Sequence, residues 1–206
     1  QLVPREDPIK ISRLVVENRS TKARRLSVSA FLGWVLGFSR SACAPFIVTE
    51  IDPATGGMLA RNPWRSDFAS NVAFADLAGR QTGFTADRTE FLGRNGTFDN
   101  PAALQRGTAL SGTVGPGLDP CACLQTLVML PPGERTEIIL LLGEATTKEE
   151  ARVLIERYRI ADMEILLRAV KSRWDDLLGA VEVTTPDRSL DVLVNRWLLY
   201  QTIASR

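Results

Sequence analysis

Between residues 25 and 37 the side chains alternate, with Leu26, Val28, Ala30, Leu32, Trp34 and Leu36 at every second position. A period of two over that length commits the segment to an extended strand with one buried face, because a helix would scatter the same residues around its axis. Other short β-prone runs flank it. Residues 11–18 end in the turn signal Asn18-Arg19-Ser20, and residues 46–51 precede Asp52-Pro53-Ala54-Thr55-Gly56-Gly57. Met58 to Arg61 can pair back across that turn. Residues 71–77 and 81–85 continue the series, and residues 124–130 and 136–142 read as a hairpin around Pro131-Pro132-Gly133-Glu134. Many short strands separated by turn signals predict a β-sandwich.

The period changes at Thr147. Thr147-Lys148-Glu149-Glu150 fits a capping box. A second helix is expected over 161–181, with Ile165, Leu166, Ala169, Val170, Trp174 and Leu177 on its buried side. A third starts at Thr185-Pro186-Asp187, with Thr185 as N-cap. The expected fold class is mainly β followed by α: a sandwich over 1–145, then a helical segment over 146–206.

Composition removes several functions. The net charge of +1 gives no electrostatic reason to bind nucleic acid or an anionic membrane. No apolar run approaches the ~20 residues of a membrane span, and no signal-peptide pattern opens the chain. Both ends read as cut from something longer. The sequence holds no histidine, which excludes a Ser-His-Asp triad within it and the H-E-x-x-H zinc motif. Three cysteines, Cys43, Cys121 and Cys123, do not make a disulfide framework. They are expected to be reduced buried thiols, with Cys121 and Cys123 at a strand edge, in a cytoplasmic protein. No metal and no cofactor is expected.

Four groups of residues invite a functional reading. Gly112-Thr113-Val114-Gly115-Pro116-Gly117 resembles a phosphate loop, but no helix is expected to open after it, so a wide connection between strands is the better reading. Asp52, Asp87, Glu90 and Asp119 are candidate carboxylates for glycoside chemistry, with solvated turns as the default. Trp34 and Trp64 could stack on a sugar ring; Trp34 falls on the apolar face of its strand, and Trp64 sits in a loop. The stretch Thr85-Ala86-Asp87-Arg88-Thr89-Glu90-Phe91-Leu92-Gly93-Arg94-Asn95-Gly96 is too polar for a core strand and too interrupted by glycine for a helix. An ordered turn is expected there, with Asp87, Arg88, Arg94 and Asn95 able to bond sugar hydroxyls or phosphate.

Several motifs in order carry a resemblance. They are Asp7-Pro8-Ile9-Lys10-Ile11, Trp34-Val35-Leu36-Gly37, Thr49-Glu50-Ile51-Asp52, Ala60-Arg61-Asn62-Pro63, Asp87-Arg88 with Phe91-Leu92-Gly93-Arg94-Asn95-Gly96, Leu118-Asp119-Pro120-Cys121 and Asn195-Arg196-Trp197-Leu198-Leu199-Tyr200-Gln201-Thr202. Together they are similar to the inverting disaccharide phosphorylases of the glycosyltransferase 36 type. That group includes cellobiose and chitobiose phosphorylases and the phosphorylase-like region of cyclic β-1,2-glucan synthases. The resemblance implies a sandwich incomplete at its N-terminal side, followed by linker helices that lead towards an (α/α)6 barrel absent from this sequence. It implies a non-catalytic piece of a carbohydrate-active parent that transfers or phosphorolyses glucosyl units. The parent would use inorganic phosphate or a sugar phosphate as substrate and bind a β-glucan oligosaccharide, and it could be anchored in a bacterial inner membrane. In the intact parent the turn holding Asp87, Arg88, Arg94 and Asn95 would face a site, with Trp64 as a further rim candidate; the other reading is a structural turn in which Asp87 pairs with an arginine and nothing touches substrate. The unfinished sandwich and the uncovered third helix imply self-association or a homodimer. The alternative is a self-sufficient carbohydrate-binding module.

Overall fold

A computed structural model describes residues 1–64, 66–107 and 109–205, leaving aside the side chain of Arg106. Its strands are β1 (Ile9–Glu17), β2 (Arg24–Gly33), β3 (Val48–Ile51), β4 (Met58–Arg61), β5 (Val72–Asp76), β6 (Gly83–Asp87), β7 (Pro120–Leu130) and β8 (Arg135–Ala145). They form two antiparallel sheets, β1-β8-β5-β4-β3 and β2-β7-β6. The architecture is the β-sandwich that the alternation predicts. Its core lies between the sheets, where Met58, Ala75 and Ile138 of the larger sheet meet Leu124 and Val128 of the smaller. Trp34 is buried there, and Leu26, Val28, Ala30, Leu32 and Leu36 pack against the same cluster.

The expected hairpin around Pro131 does not form. β7 and β8 lie in different sheets, so the turn is a corner from one layer to the other. The link from β1 to β2 makes the same crossing, and β1 pairs with β8 while β2 pairs with β7. Spacing and turn chemistry alone cannot distinguish a hairpin from such a corner, because both reverse the chain with the same residue types. Asn18 joins the two corners. Its side-chain amide donates to Leu130 O at 2.8 Å and Lys22 O at 2.9 Å. Its backbone exchanges hydrogen bonds with Glu134 and Gly133.

Helix α1 (Arg40–Cys43) follows β2, helix α2 (Arg88–Leu92) follows β6, and helix α3 (Ala102–Arg106) lies in the loop before β7. Helix α4 (Lys148–Arg159) opens at Thr147, whose hydroxyl accepts from Glu150 N at 3.2 Å. Glu150 answers by accepting from Thr146 N, one residue earlier than a standard capping box. Ion pairs Lys148–Glu50, Arg152–Asp52 and Arg159–Asp76 then fasten α4 to strands β3 and β5 and the turn after β3. The chain divides into two compact units at Ile160/Ala161, so α4 stands with the sheets, although the change of period puts a boundary near residue 145.

The second unit, 161–206, contains α5 (Met163–Leu178), capped by Asp162 through Glu164 N and Ile165 N. Next come α6 (Arg188–Val192), a π-turn over Leu193–Trp197 and α7 (Leu198–Ala204). The N-cap of α6 is Asp187 and not Thr185, because Thr185 is engaged with Asp191 Oδ1 at 2.8 Å. Among the described residues no helix is long and apolar enough to cross a membrane.

Candidate functional site at the loop end of the sandwich

The strand registers bring the predicted loops to one end. In the larger sheet Val48 pairs with Arg61, Ala60 with Ala73 and Val72 with Ala145. In the smaller sheet Gly33 pairs with Cys121 and Asp87 with Pro120. The two sheets are laced together at that end by Asn62 Nδ2 donating to Leu36 O at 2.9 Å and Thr49 N donating to Gly115 O at 3.3 Å. Trp64, Arg88 and the residues around Asp119 therefore share one end of the domain, although they are far apart in sequence.

The stretch from Thr85 to Gly96 is more regular than expected. β6 runs through Asp87, which caps α2 by accepting from Thr89 N at 2.8 Å. Gly93 ends that helix at φ 93°, a left-handed conformation that a side chain would strain. The glycines terminate the helix rather than preclude it. Phe91 and Leu92 pin it onto Cys121 and Cys123.

Arg88 Nη1 donates to Asp119 Oδ2 at 3.3 Å, and Arg40 Nη2 donates to the other oxygen, Oδ1. One carboxylate thus holds two guanidinium groups, each about one-third exposed. Arg40 lies so close to β2 that a Cβ on Gly33 would meet its Nη1 at 2.8 Å. Arg40 was not legible in the sequence as a site residue; its only signal is its fixed place opposite Gly33. Arg94 and Asn95 lie past α2, are exposed, and make no side-chain hydrogen bond among the described residues. They do not join the Arg40–Asp119–Arg88 cluster. Trp64 is 71% exposed and stacks on Phe46 with ring centroids 4.8 Å apart, leaving its other face open.

The candidate carboxylates are occupied. Glu90 accepts from Thr85 Oγ1 at 2.5 Å, Ser111 N at 2.7 Å and Ser111 Oγ at 2.6 Å. Burial alone would raise its pKa, but these donors outweigh it and hold the carboxyl below the usual range. Asp52 lies in the turn after β3, away from this end; it is buried, accepts twice from Arg152, and organises its turn through Thr55. The Arg152 guanidinium, against the opposing effect of burial, keeps its pKa low. Cys121 and Cys123 are free thiols in β7, the middle strand of its sheet, and not at a strand edge. Burial raises both pKa values, that of Cys123 to about 12.

The profile of the glycosyl hydrolase 94 supersandwich domain matches residues 1–161, ending where the structure divides. Cyclic beta-(1,2)-glucan synthase NdvB of Rhizobium meliloti is 37% identical over 204 residues, which is 99% of this chain and 7% of that protein. N,N'-diacetylchitobiose phosphorylase of Vibrio proteolyticus is 24% identical, covering 97% of this chain and 25% of the relative. Solabiose phosphorylase of Paenibacillus borealis is 26% identical, covering 96% and 26% respectively. The chain thus spans a small part of the curated relatives it matches. Matched over most of its length and folded as two facing sheets, the chain belongs to the glycosyl hydrolase 94 family and carries its supersandwich domain.

Proposed function

We infer that this domain is a non-catalytic scaffold within a longer carbohydrate-active protein, and that its loop end forms part of the rim of a site for β-linked glucosyl residues. The observation that carries this reading is the state of the carboxylates. Asp87 caps a helix, Glu90 is saturated with donors and Asp119 is held between two arginines. Groups so committed position other groups and do not shuttle protons. Exposed Trp64 and the guanidinium face of Arg88 supply what a rim needs: a flat apolar surface and fixed donors. Arg94 and Asn95, exposed past α2, are further candidates for that rim. The parent would transfer or phosphorolyse β-glucosyl units, with phosphate or a sugar phosphate as co-substrate, in keeping with the names of the relatives. The free cysteines fit a reducing, cytoplasmic setting, with the parent attached at an inner membrane. Exposed apolar side chains on the helical unit support assembly as a homodimer.

The test introduces Arg88→Ala and Trp64→Ala into the longer enzyme and measures kinetics beside melting temperature. A rim role lowers kcat/KM by ~10-fold or more with little change in Tm. Wild-type kinetics in both variants would remove the rim and leave only the scaffold.

A further inference from the structure

The inner face of the larger sheet is packed unevenly. Met58, Ala75 and Leu142 form a filled row of the core. The next row towards the loop end is Ala60, Ala73 and Glu144, joined by the pairings Ala60↔Ala73 and Ala73↔Glu144. Two methyl groups stand where larger side chains would close the sandwich. Continuing the alternation, Asn62 and Asn71 come next on the same face. Leu36 and Gly37, beyond β2, form the opposite wall. The result is a cleft of about 380 Å³ between the layers, with Phe68 at its side.

The walls of the cleft are built. Leu36 adopts φ 40°, a conformation costly for a branched side chain. It is held there by Asn62, whose amide donates to its carbonyl while the amide oxygen accepts from Trp64 N at 3.2 Å. Strain of this kind concentrates at binding sites. Asn62 is 4% exposed and tied to both Leu36 and Trp64, so it shapes the wall. The side chains of Asn71 and Glu144 also line the cleft but make no hydrogen bond to protein among the described residues. Phe68 is largely exposed and offers an apolar edge or face.

We propose that this cleft binds a neutral saccharide, one or two β-linked glucosyl units, separately from the arginine cluster. The assignment to a β-linked sugar rests on the proposed function; the cleft's preference for a neutral polyol rests on its own walls. A free amide and a free carboxylate together offer donors and acceptors to neighbouring hydroxyl groups, and a phenyl ring packs on the C–H face of a pyranose. The volume is at the lower end of the roughly 300–1,000 Å³ of small-molecule sites, which suits a sugar unit and not a long chain. Among the described lining residues the one ionisable group is the Glu144 carboxylate, which disfavours anionic sugars such as phosphate esters and uronates.

The experiment titrates the isotopically labelled 206-residue chain with a β-1,2-linked glucose disaccharide, and separately with glucose 1-phosphate, following backbone amides by NMR. The expected result is saturable shifts at Gly37, Asn62, Asn71 and Glu144 with the disaccharide, and binding at least ~10-fold weaker with glucose 1-phosphate. N71A and E144A should each weaken disaccharide binding by ~10-fold or more while leaving the melting temperature within about 2 °C. No saturable shift up to about 10 mM disaccharide, or unchanged affinity in both variants, overturns the proposal. Shifts confined to Arg40 and Arg88 would also overturn it while leaving the rim intact. Conversely, cleft binding alongside wild-type kinetics of R88A and W64A in the longer enzyme would sink the rim reading alone.

Discussion

Replacing Asn18 by Ala should be among the most damaging single polar substitutions in the sandwich. The residue is 5% exposed and its side chain makes four hydrogen bonds, to Leu130 O, Lys22 O, Ser20 N and Ser20 Oγ. Removing the amide leaves the buried carbonyl of Leu130 without this donor, at about 1–3 kcal/mol. The part-exposed partners Lys22 and Ser20 can turn to water, so together they add about 1 kcal/mol. The sum is ~3 kcal/mol, which for a unit of this size lowers the melting temperature by roughly 6–12 °C. Ser20→Ala removes three bonds at the more exposed edge of the same corner, to Asn18 Oδ1, to Lys22 O and from Arg24 Nε, whose partners can turn to water, and should cost about 1 kcal/mol or less. Urea unfolding followed by circular dichroism measures both variants. A midpoint for N18A indistinguishable from wild type, or equal to that of S20A, would show that the corners are held by their turns and not by this side chain.

Three further outcomes are expected. Asp52 has its pKa lowered in the fold, chiefly by Arg152, below the unfolded value of about 3.9. Its stabilising contribution is therefore complete above about pH 5 and is lost as pH falls through the folded value. The gap in urea midpoint between wild type and Asp52→Asn should shrink from pH 7 to pH 3, and a constant gap would contradict the sign. Cys121 and Cys123, both at 0% exposure with raised pKa values, should resist a thiol reagent in the native protein and react on unfolding in urea; rapid native labelling at either position would contradict the burial. The chain should self-associate, because Trp197, Leu198 and Tyr200 are exposed and the edge of β2 is unpaired among the described strands. A monomer by light scattering at high concentration, binding no dye for apolar surface, would refute that.

What was legible in the sequence is what local periodicity controls. Alternation placed a strand and its buried face over Leu26 to Leu32, because a one-residue error would turn every side chain outward, but the strand ends at Gly33, before Trp34 and Leu36. Thr147 behaves as a cap because its side chain acts on an amide three residues ahead. The corner at Pro131 and the boundary after α4 were not legible. Both depend on partners far along the chain: β2 for β7, and Glu50, Asp52 and Asp76 for α4. The candidate site was half legible for the same reason. Arg88 and Trp64 announced themselves by type, whereas Arg40 and Glu144 gain their places only once the strands are registered.

The crossed corners also set the order of events at the ribosome. Ile9 pairs with Gly143 and Arg24 with Leu130, so neither of the first two strands meets its ladder partner until β7 and β8 follow, far along the chain. At about 5–20 residues per second, the ~100 intervening residues take on the order of 5–20 s to synthesise. During that interval the alternating apolar face of β2 has no cover, and closure then needs contacts of long sequence separation, which fold slowly. Nascent chains of this domain should accordingly be clients of trigger-type chaperones until β8 emerges. A circular permutant that begins at β7, followed directly by β8, and places β1 and β2 soon after it should fold faster without gaining stability.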